Sequence, residues 1–280
     1  MLKPQILFVG PAKTGTSWVH EYLAERGDVS LPQGVKETFF FDKYTERGLS
    51  WYRSQFDQKP ESNLTTEVAP SYSDFPETAQ KIVQYLPDVR VIMTLRDPVA
   101  RTMSQYWHWQ RYGLTDRLCA DLLESEPLLL RPSRYAELLK TWQETLGPDR
   151  VDVLIYEDLT ADPQSFVRQL CLIAGLPFIP PSDDLLATKS NARAVPRSPA
   201  IAKGMASIRK VIYDLRLANA AKLLGASKFR RLLERDPEAS DGGQDTSKLR
   251  TQIYQALADD IYKVEAMLGR DFPTWHLNKS

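Results

Sequence analysis

Two cysteines and three histidines in 280 residues, a net charge of zero and no long apolar run mark what this chain does without. Each scarcity removes a class of protein. Cys119 and Cys171 are too few for a secreted disulfide scaffold, so both are expected to stay reduced in a cytoplasmic setting. His20, His108 and His276 are scattered and form no ligand set, so no metal is expected. Lys plus Arg and Asp plus Glu balance at 36 each, and a neutral chain is not drawn as a whole to nucleic acid or an anionic membrane. Any anion site must be local. No segment approaches the roughly 20 apolar residues of a membrane span. The first strand begins almost at once, without the charged and apolar regions of a leader peptide. The expectation is a cytoplasmic chain with no membrane and no nucleic-acid partner.

What is present suits one large α/β domain. The chain is 42% hydrophobic, enough for a substantial core. Ile6–Val9 reads as a first strand, Val29–Leu31 as a short extended piece, Leu64–Val68 as strand-like, and Val89–Leu95 and Val151–Tyr156 as buried parallel strands. Helical patterns fall between and after them, over Thr16–Arg26, Glu77–Leu86, Pro98–Arg111, Arg134–Leu146, Pro163–Ala174 and Leu249–Leu268. Such alternation predicts βαβ units around a parallel sheet. After about Pro180 the composition changes: Leu185–Tyr213 contains no acidic residue but six Lys and Arg. Pro237–Ser247 is polar and reads as a flexible loop.

The chemistry gathers in three stretches. The first is Val9-Gly-Pro-Ala-Lys-Thr-Gly-Thr-Ser-Trp18, between the first strand and the first helix. A strand, a tight loop and a helix start aim backbone N–H groups and the positive helix end at one spot. Lys13, Thr14, Thr16 and Ser17 add a cation and hydroxyls, which fits a phosphate or sulfate ester. An ATP loop reads G-x-x-x-x-G-K-S/T. Here Gly10 and Gly15 keep that separation, but the lysine comes earlier, so an atypical kinase is the weaker reading.

The second stretch is Lys36-Glu-Thr-Phe-Phe-Phe-Asp42. An aromatic setting would desolvate Glu37, raise its pKa and suit it as a general base for a hydroxyl. The alternative is a strand whose aromatics fill the core while Lys36 and Glu37 face water. The third is Thr94-Leu-Arg-Asp-Pro-Val-Ala-Arg-Thr-Met-Ser-Gln-Tyr106. It carries Arg96 to the carboxyl end of a strand, where ligands collect in open α/β sheets. Ser104 follows two helical turns on, and Arg101 is a further cation, readable as a partner of Asp97.

Together these stretches resemble the PAPS-dependent sulfotransferase family, PAPS being 3'-phosphoadenosine-5'-phosphosulfate. The Lys13 loop looks like its 5'-phosphosulfate element, and Arg96 through Ser104 looks like its 3'-phosphate element, R-D-P-x-x-R-x-x-S-x-Y. Lys36-Glu37 is similar to the K-E-x-x-F-F-D segment of the heparan-sulfate-type branch, whose glutamate is the base. Thr66–Tyr72 resembles its E-x-S/T-P-x-Y segment, although Val68 stands where glycan-modifying members often carry lysine. Leu268–Trp275 is similar to the family's last helix and Trp.

The resemblance implies a three-layer P-loop NTPase-like fold, a central parallel sheet flanked by helices, with a helical C-terminal cap. One domain is expected over 1–280: a nucleotide-binding core over 1–200, a cap and flexible loop over 201–247, and a completing helix over 248–280. Lys13 and Glu37 are the implied catalytic pair. Lys13, Thr14, Gly15, Thr16, Ser17, Trp18, Arg96 and Ser104 are the implied nucleotide contacts. Lys189, Asn191 and Arg193 occupy the place of a late loop over the nucleotide. Lys36, Glu67, Tyr72, Trp107 and His108 are candidates for touching the acceptor, with Trp51 and Trp109 as further aromatics. His108 follows the Ser104 motif and does not sit where cytosolic members have their histidine base, so it receives no catalytic role. The implied reaction moves a sulfuryl group from PAPS to a hydroxyl of a small-molecule or biosynthetic-intermediate acceptor, releasing PAP, with no metal required. O-sulfation of a carbohydrate is the alternative.

Overall fold

The computed structural model describes residues 4–56, 62–111, 114–115, 117–187, 195–196, 234–235 and 246–277. Five strands form one parallel sheet: β1 (Ile6–Phe8), β2 (Val29–Ser30), β3 (Leu64–Val68), β4 (Arg90–Leu95) and β5 (Val151–Ile155), in the order β2-β3-β1-β4-β5. The connections supply helices α1 (Thr16–Glu25), α2 (Phe40–Lys43), α3 (Gly48–Arg53), α4 (Pro76–Tyr85), α5 (Pro98–Arg111), α6 (Cys119–Ser125), α7 (Pro127–Leu130) and α8 (Tyr135–Leu146). After β5 come α9 (Tyr156–Ala161), α10 (Pro163–Ala174), α11 (Asp183–Ala187) and α12 (Thr246–Leu268).

Most strand positions are buried because both faces of the sheet are covered. Period-two alternation splits the core cleanly. Leu7, Val9, Val91, Met93 and Leu95 meet α4, α5, α8 and α12 on one face. Ile6, Phe8, Ile92 and Leu154 meet α1 and α10 on the other. Helix starts carry their own signals. Asp97 caps α5 by accepting from the N–H groups of Val99 (2.9 Å) and Ala100 (3.2 Å), with Pro98 at the first helical position. Asp162 does the same for α10 ahead of Pro163.

Two readings change. The Lys36 stretch is not a strand: Phe40 and Phe41 do fill the core, but from the short helix α2. The last helix starts at Thr246, inside the segment read as a loop. The cap expected over 201–247 lies outside the described residues apart from a two-residue pairing, Val195–Pro196 antiparallel to Glu234–Arg235, and the start of α12.

Sheet order fixes where a ligand goes. From β1 the chain moves to β2 and β3 on one side, then crosses to β4 and β5 on the other. The loops after β1 and β4 therefore diverge and leave a crevice at their carboxyl ends. Register places Phe8 opposite Ile92, so the Lys13 loop and Arg96 leave the sheet side by side.

Candidate active site

The loop after β1 is pressed against β4. A Cβ on Gly10 would lie 2.4 Å from the Thr94 nitrogen, so only glycine lets the backbone pass. Gly15, at φ +90, turns the chain into α1, and a Cβ there would meet the Tyr156 ring at 2.8 Å. Lys13 itself adopts φ 78, a left-handed conformation uncommon for a side-chain-bearing residue. The Thr14 hydroxyl donates to the Pro11 carbonyl (2.7 Å) and meets the Thr94 hydroxyl at 2.7 Å. Thr14 is buried, and its side chain braces the loop.

Five cations converge here. Arg96 donates to the Lys13 carbonyl (3.2 Å) and stacks over the Tyr156 ring at 4.6 Å. Lys36 reaches back from the second motif to donate to Thr16 Oγ1 (3.2 Å). Burial, then Lys36, Arg111, Arg101 and Arg96, push the Lys13 ammonium down to about 8. A lysine so desolvated and repelled is a site short of negative charge. Burial and Lys36 likewise push His20 down to about 4, so it is neutral near pH 7.

Glu37 sits beside this cluster, half-buried, 3.9 Å from the Lys36 ammonium. Burial raises its carboxyl above the ordinary range and Asp42 adds to the rise. Lys36 and the N–H and hydroxyl of Ser71 pull it the other way.

The chain is similar to known proteins over part of its length. A family model described as the sulfotransferase family matches residues 74–180. Heparan sulfate glucosamine 3-O-sulfotransferase 6 of Homo sapiens is 39% identical over 103 residues, covering 37% of this chain and 30% of that protein. The 3A1 enzyme of Mus musculus is 27% identical over 183 residues, covering 62% and 46%. A crystal structure of a sulfotransferase from Alicyclobacillus acidocaldarius superposes with a TM-score of 0.69 at 21% identity, covering 98% of this chain and 99% of that one. Over residues 74–180 the chain is similar to the sulfotransferase family, and its fold is that of the Alicyclobacillus enzyme. The chain spans less than half the length of these curated relatives.

Most of the residues singled out from the sequence come together. Lys13, Gly15, Thr16, Arg96 and Lys36 share the crevice through the contacts above, with exposed Ser17 in the first turn of α1. Ser104 is half-buried on α5; His108 and Arg111 lie four and seven residues on, along the same stripe. Trp18 stacks along Tyr22 (6.1 Å) and meets Phe166 edge-on (6.2 Å). Trp51, Trp107 and Trp109 pack against the core beneath α2 and α5. Lys189, Asn191 and Arg193 lie outside the described residues.

Two expectations are corrected and a third is extended. Glu67 and Tyr72 have no exposed surface and cannot touch an acceptor; both are tied into the wall behind Glu37. Arg101 does not pair with Asp97. It turns inward to Ser133 Oγ (2.5 Å) and the Leu129 carbonyl, because Asp97 is occupied as a helix cap. The third expectation, Lys36 as an acceptor contact, is joined by a second contact: its ammonium also reaches Thr16 on the loop after β1.

Arg111 and Tyr156 were not picked out from the sequence. Arg111 was findable as the i+7 neighbour of Ser104; Tyr156 carried no signal beyond standing at the end of β5. Among the described residues no group of three His, Cys, Asp or Glu is placed to hold a metal ion, and no helix is long and apolar enough to cross a membrane.

Proposed function

We propose that the chain transfers a sulfuryl group from PAPS to a hydroxyl of a small-molecule or biosynthetic-intermediate acceptor and releases PAP. The observation that carries this is the convergence of Lys13, Lys36 and Arg96 at the ends of β1 and β4, with a desolvated Glu37 at its margin. The donor fits these residues: the Gly10 and Gly15 cradle admits backbone where a Cβ would not go, and the cations suit an ester of several negative charges. PAPS would supply an activated sulfuryl group whose leaving oxygen belongs to a phosphate.

The chain's own residues do the rest. Glu37 takes the proton of the acceptor hydroxyl as the new bond forms. Lys13 neutralises charge growing on the bridging oxygen, with the loop N–H groups beside it. Lys36 holds the sulfuryl oxygens from the Thr16 side. Arg96 and Ser104 fix the 3'-phosphate and so orient the donor. Gly15, Thr16, Ser17 and Trp18 frame the 5' end. We place the reaction in the cytoplasm, a reading supported by two free, buried cysteines.

Carbohydrate O-sulfation is the second reading, supported by the heparan sulfate enzymes among the relatives. Val68, in place of the lysine usual in glycan-modifying members, supports the first. Calorimetry with PAP and with ATP and Mg²⁺ tests the donor. Micromolar binding of PAP without metal, weakened by Arg96→Ala, is expected; binding of ATP and Mg²⁺ alone would overturn the reading in favour of a kinase. Sulfate transfer from radiolabelled PAPS to phenolic and aliphatic alcohols or to heparan oligosaccharides then separates the two acceptors.

A further inference from the structure

Glu67 has no exposed surface and no cation among its partners. A buried carboxylate without a counter-ion is expensive unless hydrogen bonds replace the lost water. Three donors do so. One oxygen accepts the Thr38 N–H; the other accepts the hydroxyls of Tyr52 (2.9 Å) and Tyr72 (3.1 Å).

The acceptor oxygen of Tyr72 in turn takes the Phe40 N–H (3.1 Å). The Thr38 hydroxyl sits 3.2 Å from both the Tyr72 hydroxyl and the Phe40 nitrogen. Thr38 and Phe40 flank Phe39, which stands at φ 53, a left-handed conformation that a phenylalanine does not hold unaided. Glu37 is the residue before this turn. The backbone that carries it is therefore pinned on both sides of a strained residue by one buried acid.

We infer that Glu67 is a positioning residue: its carboxylate grips the Thr38 amide directly and the Phe40 amide through Tyr72, and this clamp holds the turn that aims Glu37. The role rests on the proposed function only in what Glu37 is aimed at; the clamp itself is a property of the fold. A second consequence is electrostatic. Burial pushes Glu67 up to about 7, against the pull of Thr38 and Tyr52, and the charge of Glu37 adds to the rise. Glu37 is the more acidic of the two and ionises first, so the repulsion between them is carried by Glu67. The other groups facing this pair are Tyr52 and Tyr72 around Glu67, and Lys36, Asp42 and Ser71 around Glu37.

Glu67→Gln keeps the shape but removes the charge and one acceptor site. Amide exchange over residues 36–41, carboxyl-carbon NMR titration of Glu37 and calorimetric PAP binding are measured for wild type, Glu67→Gln and Tyr72→Phe. In Glu67→Gln the Thr38 and Phe40 amides should exchange about tenfold faster or more. The titration midpoint of Glu37 should hold, because Glu67 is still protonated where Glu37 titrates. Thr65 and Thr66 in β3 should keep their protection and PAP its affinity within about twofold. Tyr72→Phe should loosen Phe40 alone. Unchanged exchange of the Thr38 and Phe40 amides in Glu67→Gln would overturn the inference. So would loss of protection across the whole sheet in both variants, which would make Glu67 a fold residue only. Failure of wild-type protein to bind PAP would strike the donor reading and leave the exchange result to decide the clamp.

Discussion

The Lys36 ammonium lies 3.2 Å from Thr16 Oγ1, so the motif that carries the candidate base also places a cation on the phosphate loop. Lys36→Met should raise the KM for PAPS and lower kcat together. Lys36 is the largest charge depressing Lys13, so the same variant should move the titration of Lys13 upward from about 8. The pH dependence of PAP binding reads that shift; an unmoved midpoint would show that the two ammonium groups do not share a ligand.

Lys13 also predicts a proton balance. In the free protein its ammonium begins to lose its proton near pH 8, because burial and four other cations disfavour the charge. A bound anion reverses that preference and draws the proton back. Affinity for PAP should be flat below about pH 8 and fall above it, with proton uptake on binding. Calorimetry just above pH 8 in two buffers of different ionisation heat measures the uptake, and none at all would contradict the assignment.

Glu37→Gln should fold, bind PAP with wild-type affinity and lose about 10²–10⁴ of turnover. In wild type the base must be ionised, and burial raises its carboxyl. The rate should therefore fall, as pH drops, at a midpoint above the ordinary ~4.3 of glutamate. A near-normal rate for Glu37→Gln would remove it as the base.

Gly10→Ala forces a Cβ to within 2.4 Å of the β4 backbone, which has no room to move between strands. It should destabilise by about 1–3 kcal/mol, seen as a lower Tm. Gly15→Ala meets a side chain instead, the Tyr156 ring on which Arg96 stacks. It should weaken PAP binding as well as stability, and Tyr156→Ala should relieve part of that loss in a double-mutant cycle.

The sheet was readable because parallel strands buried on both faces are continuous apolar runs, as in Val91–Leu95, and because Pro98, Pro163 and Gly147 mark helix limits. The phosphate loop was readable because its geometry needs glycine at fixed places. Side-chain direction was harder. Nothing in Asp97-Pro-Val-Ala-Arg101 says that the acid turns back as a cap and leaves the arginine to face Ser133. Glu67 looked like a polar residue at a strand end, open to a ligand. Its burial depends on Tyr52 and Thr38, which are remote in sequence and arrive only when the chain folds. The turn at Phe39 was invisible for the same reason, since the restraint lies in β3 and Tyr72.

Glu157 joins the Asp97 N–H (3.0 Å), at the mouth of the crevice, to the indole of Trp275 (3.3 Å). During synthesis the ribosome delivers Asp97 and Glu157 long before Trp275, so the sheet can form while this tie is still missing. A nascent chain stopped before Trp275 should already resist proteolysis over β1–β5 yet hold the rim of the crevice loosely. Competence to bind then waits on the arrival of Trp275 and not on the closing of the sheet, so order at the rim sets when the crevice can hold a ligand.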